Sequence, residues 1–212
     1  MVPISIASYI SSFATSPLSA HGNVPPWVLV AQSVEIVRGL LATLPSREYV
    51  VTDEIAVHRS TVVEDGAVLK GPLILGAECF VAAGAYLRGG NWIDSNCIFG
   101  PGAELKSSFV FQGTKLAHFN FVGVSVLGSK VNLEAGSIVC NYRNEREHRE
   151  IQVRLGDSLC ATGTEKFGAL VGDGCRIGAN AVIAPGALLP PGAIVARTQL
   201  LDQEFTTRRP DG

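Results

Sequence analysis

The stretch VGDGCRIGANAVIAPGALLPPGAIVA, residues 171–196, places a large aliphatic side chain at every sixth position. These positions are Val171, Ile177, Ile183, Leu189 and Val195. An α-helix would need apolar residues three and four apart, and a single strand would alternate by two. A period of six is typical of a parallel β-helix, in which short strands and tight turns coil into a three-sided prism. The sequence therefore predicts an all-β fold of hexapeptide repeats.

The same period begins far upstream and defines the body of the chain. Its first block comprises Val51, Val57, Val63, Leu69, Leu75, Val81, Leu87, Ile93, Phe99, Leu105 and Phe111. A second block comprises Phe121, Leu127, Leu133 and Val139. The period slips between Phe111 and Phe121, near Ala117 and His118. This slip predicts a bulge that leaves the prism wall at His118.

Small residues recur at the fifth position of the hexads, where a tight corner would leave little room. They are Thr61, Ala67, Cys79, Ala85, Cys97 and Ala103. Cys79 and Cys97 lie eighteen residues apart, which is three hexads and one full coil. A free cysteine behaves as a small hydrophobic residue. We expect these two side chains to stack inside the prism.

The periodicity divides the chain into three parts. Residues 1–50 are predicted to form an N-terminal extension with one amphipathic helix between Pro25 and Pro45, which would cap one end of the prism. Residues 51–200 are predicted to form the β-helix. A polar, off-register excursion interrupts it at about 141–170, and its segment IQVRL, residues 151–155, alternates like a hairpin strand. Residues 201–212 are predicted to form a polar C-terminal tail.

The composition excludes several classes of partner. The chain has 212 residues and a formal net charge of −2, so it offers no basic excess for nucleic acid. No apolar run reaches the roughly eighteen residues of a membrane span. Charged residues make up 17%, against about 25% in typical domains, which favours apolar faces buried between subunits. Five cysteines without a short-spaced pair, and no basic start to the first twenty residues, favour a cytoplasmic protein over a secreted one.

Sequence motifs around the slip point to a family. The chain carries Lys115, His118 and Gly123, followed by Asn132, Gly136, Ile138, Asn141 and Tyr142. This order resembles K-x-x-H-x-x-Y-x-G followed by N-x-x-x-G-x-I-x-x-N-Y in the acetyltransferase domain of bifunctional glucosamine-1-phosphate acetyltransferase/N-acetylglucosamine-1-phosphate uridyltransferase. Related sugar-phosphate nucleotidyltransferases share it. Upstream, AGAYLRGG and AELKSS are similar to two further motifs of that family. The resemblance runs from Pro25 to about Arg197.

The resemblance implies a left-handed parallel β-helix, a homotrimer and acetyl-CoA-dependent transfer to an amino sugar phosphate, with no metal. His118 would be the general base that takes the amine proton during attack on the thioester. Arg88 and Lys106 would hold the sugar phosphate. The resemblance adds Phe121 and Asn132 on the acceptor sugar. It implies that Ala135, Asn141 and Tyr142 line the acyl-CoA.

Several of these residues also fit plainer roles. Arg88 and Lys106 are compatible with solvated charges, and Tyr142 with an ordinary turn aromatic. Phe121 stands where the family has Tyr, and residues 1–50 contain no Gly-rich nucleotide loop. A non-catalytic scaffold or regulatory subunit that lost a nucleotidyltransferase partner domain is therefore the alternative. A zinc enzyme would need three histidine ligands, and the chain has only four scattered histidines, at positions 21, 58, 118 and 148.

Overall fold

The computed structural model describes residues 4–205, in which three parallel β-sheets form the sides of a prism. Each coil contributes one short strand to each side, so neighbouring strands come from successive coils. In the second side, for example, Leu87 pairs with Leu69 and Leu105, each eighteen residues away. The predicted all-β parallel β-helix is confirmed. Residues 206–212 of the predicted tail, and residues 1–3, lie outside the described residues.

The three sides have eight, seven and seven strands within residues 4–205. Sheet A contains β1 (Tyr49–Thr52), β2 (Ile55–His58), β5 (Leu73–Leu75), β8 (Asn91–Ile93), β11 (Phe109–Val110), β14 (Val126–Leu127), β19 (Ala169–Val171) and β22 (Ala187–Leu189). Sheet B contains β3 (Val62–Val63), β6 (Phe80–Val81), β9 (Ile98–Phe99), β12 (Lys115–Leu116), β15 (Asn132–Leu133), β20 (Arg176–Ile177) and β23 (Ile194–Val195). Sheet C contains β4 (Val68–Leu69), β7 (Tyr86–Arg88), β10 (Glu104–Lys106), β13 (Phe121–Gly123), β16 (Ile138–Val139), β21 (Val182–Ile183) and β24 (Leu200–Leu201).

One apolar cluster fills the inside of the prism. The large hexad residues point inward, and Leu87, Phe99 and Leu105 are fully buried there. Each such side chain contributes about 1.5–3 kcal/mol through burial. Cys79 and Cys97 lie in the same cluster at 2% and 0% exposure, so their predicted stacking inside the prism is confirmed.

The position of the slip was predicted wrongly. The inward-facing side chains of this region are Val110, Leu116, Val122 and Leu127. Phe111 faces outward into a second apolar cluster, and Phe121 is half-buried on the outer face of sheet C. The coils lose one residue twice, once after β10 and once after β13, and the wall runs unbroken through β12 beside His118.

Side-chain oxygens explain how the two shortened corners are tolerated. The backbone N–H of Ser108 donates to Asn91 Oδ1 at 2.9 Å, and that of Ser125 donates to Ser108 Oγ at 3.0 Å. The N–H of Ala169 then donates to Ser125 Oγ at 3.1 Å. Buried backbone donors need a partner. This ladder of Asn91, Ser108 and Ser125 supplies one at each corner between sheets C and A.

The N-terminal segment covers the outer face of sheet A instead of capping one end. It contains 3-10 helices at Ile6–Ser8, Phe13–Thr15 and Ser19–His21, then α1 (Pro26–Ala31) and α2 (Ser33–Leu41). The predicted single helix is thus divided at Gln32. The reason is the apolar outer row of sheet A, which comprises Ile74, Trp92, Phe109, Val126, Leu170 and Leu188. Covering this row removes its apolar surface from water, which stabilises the fold.

The first coil also differs from the prediction. Val51 lies on β1, which pairs antiparallel with β2, and 53% of its surface is exposed. The inward pattern therefore begins at Val57. At the other interruption, β17 (Gln152–Leu155) and β18 (Ser158–Ala161) form an antiparallel hairpin, which confirms the hairpin predicted from IQVRL. Val153 of this hairpin is buried in the cluster over sheet A.

Candidate functional site

His118 lies at the corner between sheets B and C, just after β12, with its side chain exposed. Its carbonyl accepts a hydrogen bond of 2.9 Å from the N–H of Gly136, which fixes it one coil away from Ala135. Ala135 is exposed at the same corner, and its carbonyl accepts from the N–H of Asn180 at 3.0 Å. Within residues 4–205 the imidazole of His118 has no hydrogen-bond partner. It is therefore free to act on a molecule bound outside the prism.

Phe119 forms an exposed apolar surface beside that imidazole. It is 73% exposed and adopts a left-handed backbone with φ of 51°. Its ring lies where a Cβ at Gly102 would stand, so only glycine fits beneath it. The following residue, Asn120, is 2% exposed and its amide nitrogen donates to the carbonyl of Glu134 at 2.7 Å. The corner that carries His118 is thus held rigidly on both sides.

A ladder of cations crosses the outer face of sheet C. Arg88 and Lys106 are register partners, and Lys70 precedes Arg88 by one coil. Nε and Nη2 of Arg88 both donate to Glu104 Oε1, at 2.9 and 2.7 Å. The ammonium of Lys70 and the guanidinium of Arg88 lie 5.3 and 5.5 Å from the centre of the Tyr86 ring. The predicted Arg88 and Lys106 do lie together, but Arg88 already has an anionic partner.

The surroundings of Lys106 disfavour its positive charge. Burial lowers the pKa of its ammonium first, and the charges of Arg88 and Lys166 lower it further against the opposing effect of Glu104. Perturbed pKa values are more frequent at functional sites than elsewhere, which makes this face a candidate binding surface.

Phe121 and Asn141 meet beside this ladder. A Cβ at Gly123 would lie 2.7 Å from Cγ of Asn141 and 2.9 Å from Cζ of Phe121. Gly123 is the register partner of Lys106, so both side chains lie close to the lysine. Asn141 is only 9% exposed, and within the described residues its side-chain amide has no hydrogen-bond partner. Sheet C thus brings Lys106, Phe121 and Asn141 into one group.

Asn132 lies on a different side of the prism. It is a register partner of Arg176 on sheet B. It borders a cavity of about 260 Å³ that is also lined by Glu134, Arg176, Ile194 and Arg197. Nε and Nη2 of Arg197 donate to the Glu134 carboxylate at 2.8 and 3.0 Å. The hydrogen bonds from Arg197 hold the pKa of that carboxyl below its usual value.

Tyr142 begins the excursion, whose backbone is anchored by its neighbour Arg143. Arg143 is 3% exposed and donates to both carboxylate oxygens of Asp202, at 2.6 and 2.8 Å. Burial acts to raise the pKa of Asp202, but the hydrogen bonds and charge of Arg143 outweigh it and the pKa falls. The guanidinium of Arg149 lies 5.4 Å from the centre of the Tyr142 ring. The ion pair between Arg143 and Asp202, here called the Arg143–Asp202 latch, connects the excursion to the residue that follows β24.

Two faces and one corner of the prism therefore carry the predicted residues. Sheet C holds Arg88, Lys106 and Phe121, the corner holds His118 and Ala135, and sheet B holds Asn132. The cavity beside Asn132 is lined by none of the residues of sheet C.

Sequence reasoning missed the neighbours that shape this group. Lys70 and Glu104 could have been predicted from the sequence as neighbours of this group. Residues that lie eighteen apart in the sequence become neighbours when three hexads form one coil. Lys166 and the Arg143–Asp202 latch could not have been predicted in this way, because the excursion does not follow the hexad spacing and tertiary contacts determine its path.

Membrane-spanning helices and metal clusters are both absent from the described part of the chain. No helix between residues 4 and 205 is long and apolar enough to cross a membrane. The same residues contain no group of three or more His, Cys, Asp or Glu side chains that could hold a metal ion.

Sequence comparison finds relatives for part of the chain. The bifunctional protein GlmU of Leifsonia xyli is 34% identical over 141 residues, which cover 66% of this chain and 28% of that protein. The bifunctional sugar-1-phosphate nucleotidylyltransferase/acetyltransferase of Sulfurisphaera tokodaii is 28% identical over 142 residues, covering 58% and 35%. The chain thus spans about a third or less of these curated relatives. No protein-family model matches it.

Among solved structures, the chain is similar to a mutant of perosamine N-acetyltransferase from Caulobacter crescentus in complex with CoA and GDP-perosamine. It is 17% identical, with 83% of this chain and 76% of that chain covered and a TM-score of 0.35. The resemblance stated from the sequence motifs is confirmed by the bifunctional relatives, and the hexapeptide-repeat β-helix is confirmed by the strand topology.

Proposed function

We propose that the protein transfers the acetyl group of acetyl-CoA to the amino group of a sugar phosphate such as glucosamine 1-phosphate. The observation that carries this proposal is the exposed, unpartnered imidazole of His118 beside a cationic face. His118 would take the amine proton as nitrogen forms a bond to the thioester carbonyl. The carbon–sulfur bond then breaks, and CoA leaves as a thiol after gaining a proton. The names of the bifunctional relatives support an acetyltransferase.

In this proposal the ladder of sheet C binds the acceptor and the excursion binds acetyl-CoA. Arg88 and Lys106 offer charge to the sugar phosphate, and Phe121 and Asn132 contact the sugar. Asn141, Tyr142 and the backbone of Ala135 line the acyl-CoA, as the resemblance implies. The protein's own groups supply binding, orientation and a proton acceptor, with no metal step.

A homotrimer belongs to the proposal, because His118 stands on a convex corner that is open to solvent. A second wall would have to come from another subunit, which also explains how residues on two faces could serve one site. The start of sheet B offers Val62, Phe80 and Ile98 as an apolar outer row for that contact. Analytical ultracentrifugation should give three times the 22.3 kDa chain. A monomer at micromolar concentration would contradict the proposed trimer.

The cytoplasmic location of the protein stays a prediction.

The decisive experiment measures CoA release from acetyl-CoA with glucosamine 1-phosphate and other amino sugar phosphates. His118→Ala should lower kcat by about 10²–10⁴, the usual contribution of a general base. His21→Ala, in the N-terminal segment, is the matched control and should leave kcat unchanged. Activity that survives His118→Ala would remove the imidazole from the mechanism.

A non-catalytic scaffold is the second candidate, and Phe121 favours it because the family's Tyr hydroxyl is absent. The two candidates differ in a simple observation. A folded oligomer that binds CoA but gives no turnover with any amino sugar phosphate supports the scaffold. Turnover that rises in Phe121→Tyr supports the enzyme.

A further inference from the structure

A cavity of about 370 Å³ lies between the N-terminal segment and the corner that joins sheets A and B. Its walls come from parts of the chain that are distant in sequence. They include residues 12–17, Glu48 and Tyr49 where β1 begins, and Asp94 and Ser95 after β8. Ligand cavities typically have volumes of about 300–1,000 Å³. None of the residues assigned to the proposed acetyl transfer lines this cavity, so the two sites are separate.

The lining of the cavity is acidic. The side chains of Glu48 and Asp94 border it, and no lysine or arginine is among the described residues that do. Within residues 4–205 neither carboxylate has a basic nitrogen within 4.0 Å. Both carboxylates act on the hydroxyl of Tyr49, since burial raises the pKa of Tyr49 first and the charges of Glu48 and Asp94 raise it further. A cleft lined by charges of one sign concentrates ions of the other sign, which here are cations.

Two aromatic residues, Tyr49 and Trp92, also border the cavity. The face of an aromatic ring attracts an ammonium group. The indole of Trp92 gives an indication of a ligand that is independent of the carboxylates. This residue is only 6% exposed, yet its ring nitrogen remains accessible and donates to no group among residues 4–205. Because a buried tryptophan N–H usually has an acceptor, an oxygen atom of a ligand would complete this environment.

The walls of the cavity are held in place by contacts outside it. His58 is the register partner of Tyr49, and the two rings meet edge to face with centres 5.1 Å apart. Nδ1 of His58 lies 2.8 Å from Oγ of Ser60. On the opposite wall, the backbone N–H and the hydroxyl of Ser11 both donate to Oδ2 of Asp173, at 2.9 and 2.7 Å. The cavity is therefore formed before any ligand enters.

We propose that this cavity binds a small organic ammonium ion that also carries hydroxyl groups, the chemistry shared by amino alcohols and amino sugars. Its ammonium group would lie between the carboxylates of Glu48 and Asp94 and against the ring of Tyr49. A hydroxyl oxygen would accept from the indole N–H of Trp92. The acidic lining would repel a phosphorylated molecule, so this ligand differs from the acceptor of the proposed acetyl transfer. The site goes beyond the proposed function and does not depend on it.

The fluorescence of Trp92 provides a measurement that is specific to this cavity. The chain has two tryptophans, and Trp27 does not border the cavity. Trp27→Phe therefore leaves Trp92 as the only emitter, and circular dichroism verifies the fold of this variant. Ethanolamine and glucosamine should each change the emission in a saturable way, and the tighter of the two identifies the class of ligand. Glucose, the neutral analogue of glucosamine, should bind at least tenfold more weakly than glucosamine.

Asp94→Asn tests the charge of the site with little change in shape, because asparagine keeps an oxygen that can accept from the N–H of Ser95, 2.7 Å away in wild type. It should weaken both amines at least tenfold, and Glu48→Gln should also weaken them. Asp157→Asn makes the same substitution in the exposed turn of the hairpin and should bind as wild type does.

Isothermal titration calorimetry of Asp94→Asn and Asp157→Asn in the otherwise unaltered chain repeats the comparison without Trp27→Phe. Three results would overturn the site: no saturable binding of either amine, equal affinity for glucose and glucosamine, or unchanged affinity in Asp94→Asn. Each of these results leaves the acetyl-transfer proposal standing, because that proposal uses none of these residues.

Discussion

The outer faces of sheets A and C differ although their inner faces follow the same rule. The outward row of sheet A, which includes Trp92 and Phe109, is buried under the N-terminal segment and the hairpin. The outer face of sheet C is half-exposed, and one of its rows carries the charges of Arg88 and Lys106. The inward residues of sheets A and C follow the same pattern. Only the outward residues therefore distinguish a face that is buried for stability from a face that is available for binding.

This difference also explains the apolar composition of the chain. Sequence reasoning assigned the excess of apolar residues to contacts between subunits. Much of it instead lies within one chain, where Phe13 and Trp92 pack on Phe111 with ring centres 6.1 and 5.2 Å away. A β-helix whose side is covered in this way leaves its other two sides available for ligands and other subunits.

The largest expected effect tests whether the two faces differ in burial. Phe109→Ala on sheet A should lower the free energy of unfolding by about 3–5 kcal/mol, because it leaves a cavity in a closed cluster. Phe121→Ala on sheet C should change it by less than about 1.5 kcal/mol, because that ring is half-exposed. Urea unfolding at one fixed protein concentration measures both. Equal losses would mean that sheet C is covered as completely as sheet A in the native assembly.

The next effect concerns the Arg143–Asp202 latch. Asp202→Asn should lower the free energy of unfolding by about 1.5–3 kcal/mol at pH 7, because charge-assisted hydrogen bonds to a buried guanidinium are lost. The pKa of Asp202 is lowered in the folded state. Its contribution is therefore present above the ordinary Asp pKa of about 3.9 and disappears as pH falls through the lower folded value.

Chemical unfolding at pH 7 and at about pH 3 checks this prediction. The difference in the free energy of unfolding between wild type and variant should be smaller at the lower pH. Asp157→Asn, in the exposed turn of the same hairpin, is the control and should stay within about 0.5 kcal/mol of wild type. If the difference in the free energy of unfolding were the same at both pH values, the effect would come from packing and not from charge.

The smallest effect has the opposite sign. Lys106→Met should raise the free energy of unfolding by about 0.2–1 kcal/mol at pH 7, because it removes a partly buried charge that also faces the like charges of Arg88 and Lys166. Burial, and then the charges of Arg88 and Lys166, lower the folded-state pKa of Lys106. The destabilising effect of its charge is therefore fully present below that pKa and vanishes above the unfolded value of about 10.4.

Thermal unfolding across pH 7 to 11 measures this gain, which should disappear at the alkaline end. Lys115→Met on sheet B, whose register partners Ile98 and Asn132 are uncharged, should give no gain. A loss of stability in Lys106→Met would mean that the ammonium stabilises the unliganded face, contrary to the comparison.

Particular residues show how far the sequence could lead. Leu69, Leu87 and Leu105 were identified correctly as inward-facing, because an eighteen-residue coil imposes strict spacing on them. Phe111 and Phe121 were misassigned because their spacing mimics the hexad while the coils shorten by one residue at Ser108 and Ser125. Arg88 and Lys106 were found through motif resemblance, and eighteen-residue spacing alone would have added Lys70.

By itself, the amino-acid order determined the three-sided coil, the stacked cysteines and the hairpin of the excursion. Each depends on neighbours in the sequence or on a fixed repeat length, and a local rule therefore captures it. The tertiary structure alone decided that the N-terminal segment lies on sheet A and that Lys166 arrives beside Lys106. These contacts join distant residues of unrelated spacing, and their free energy comes from surfaces that exist only after the coils have stacked.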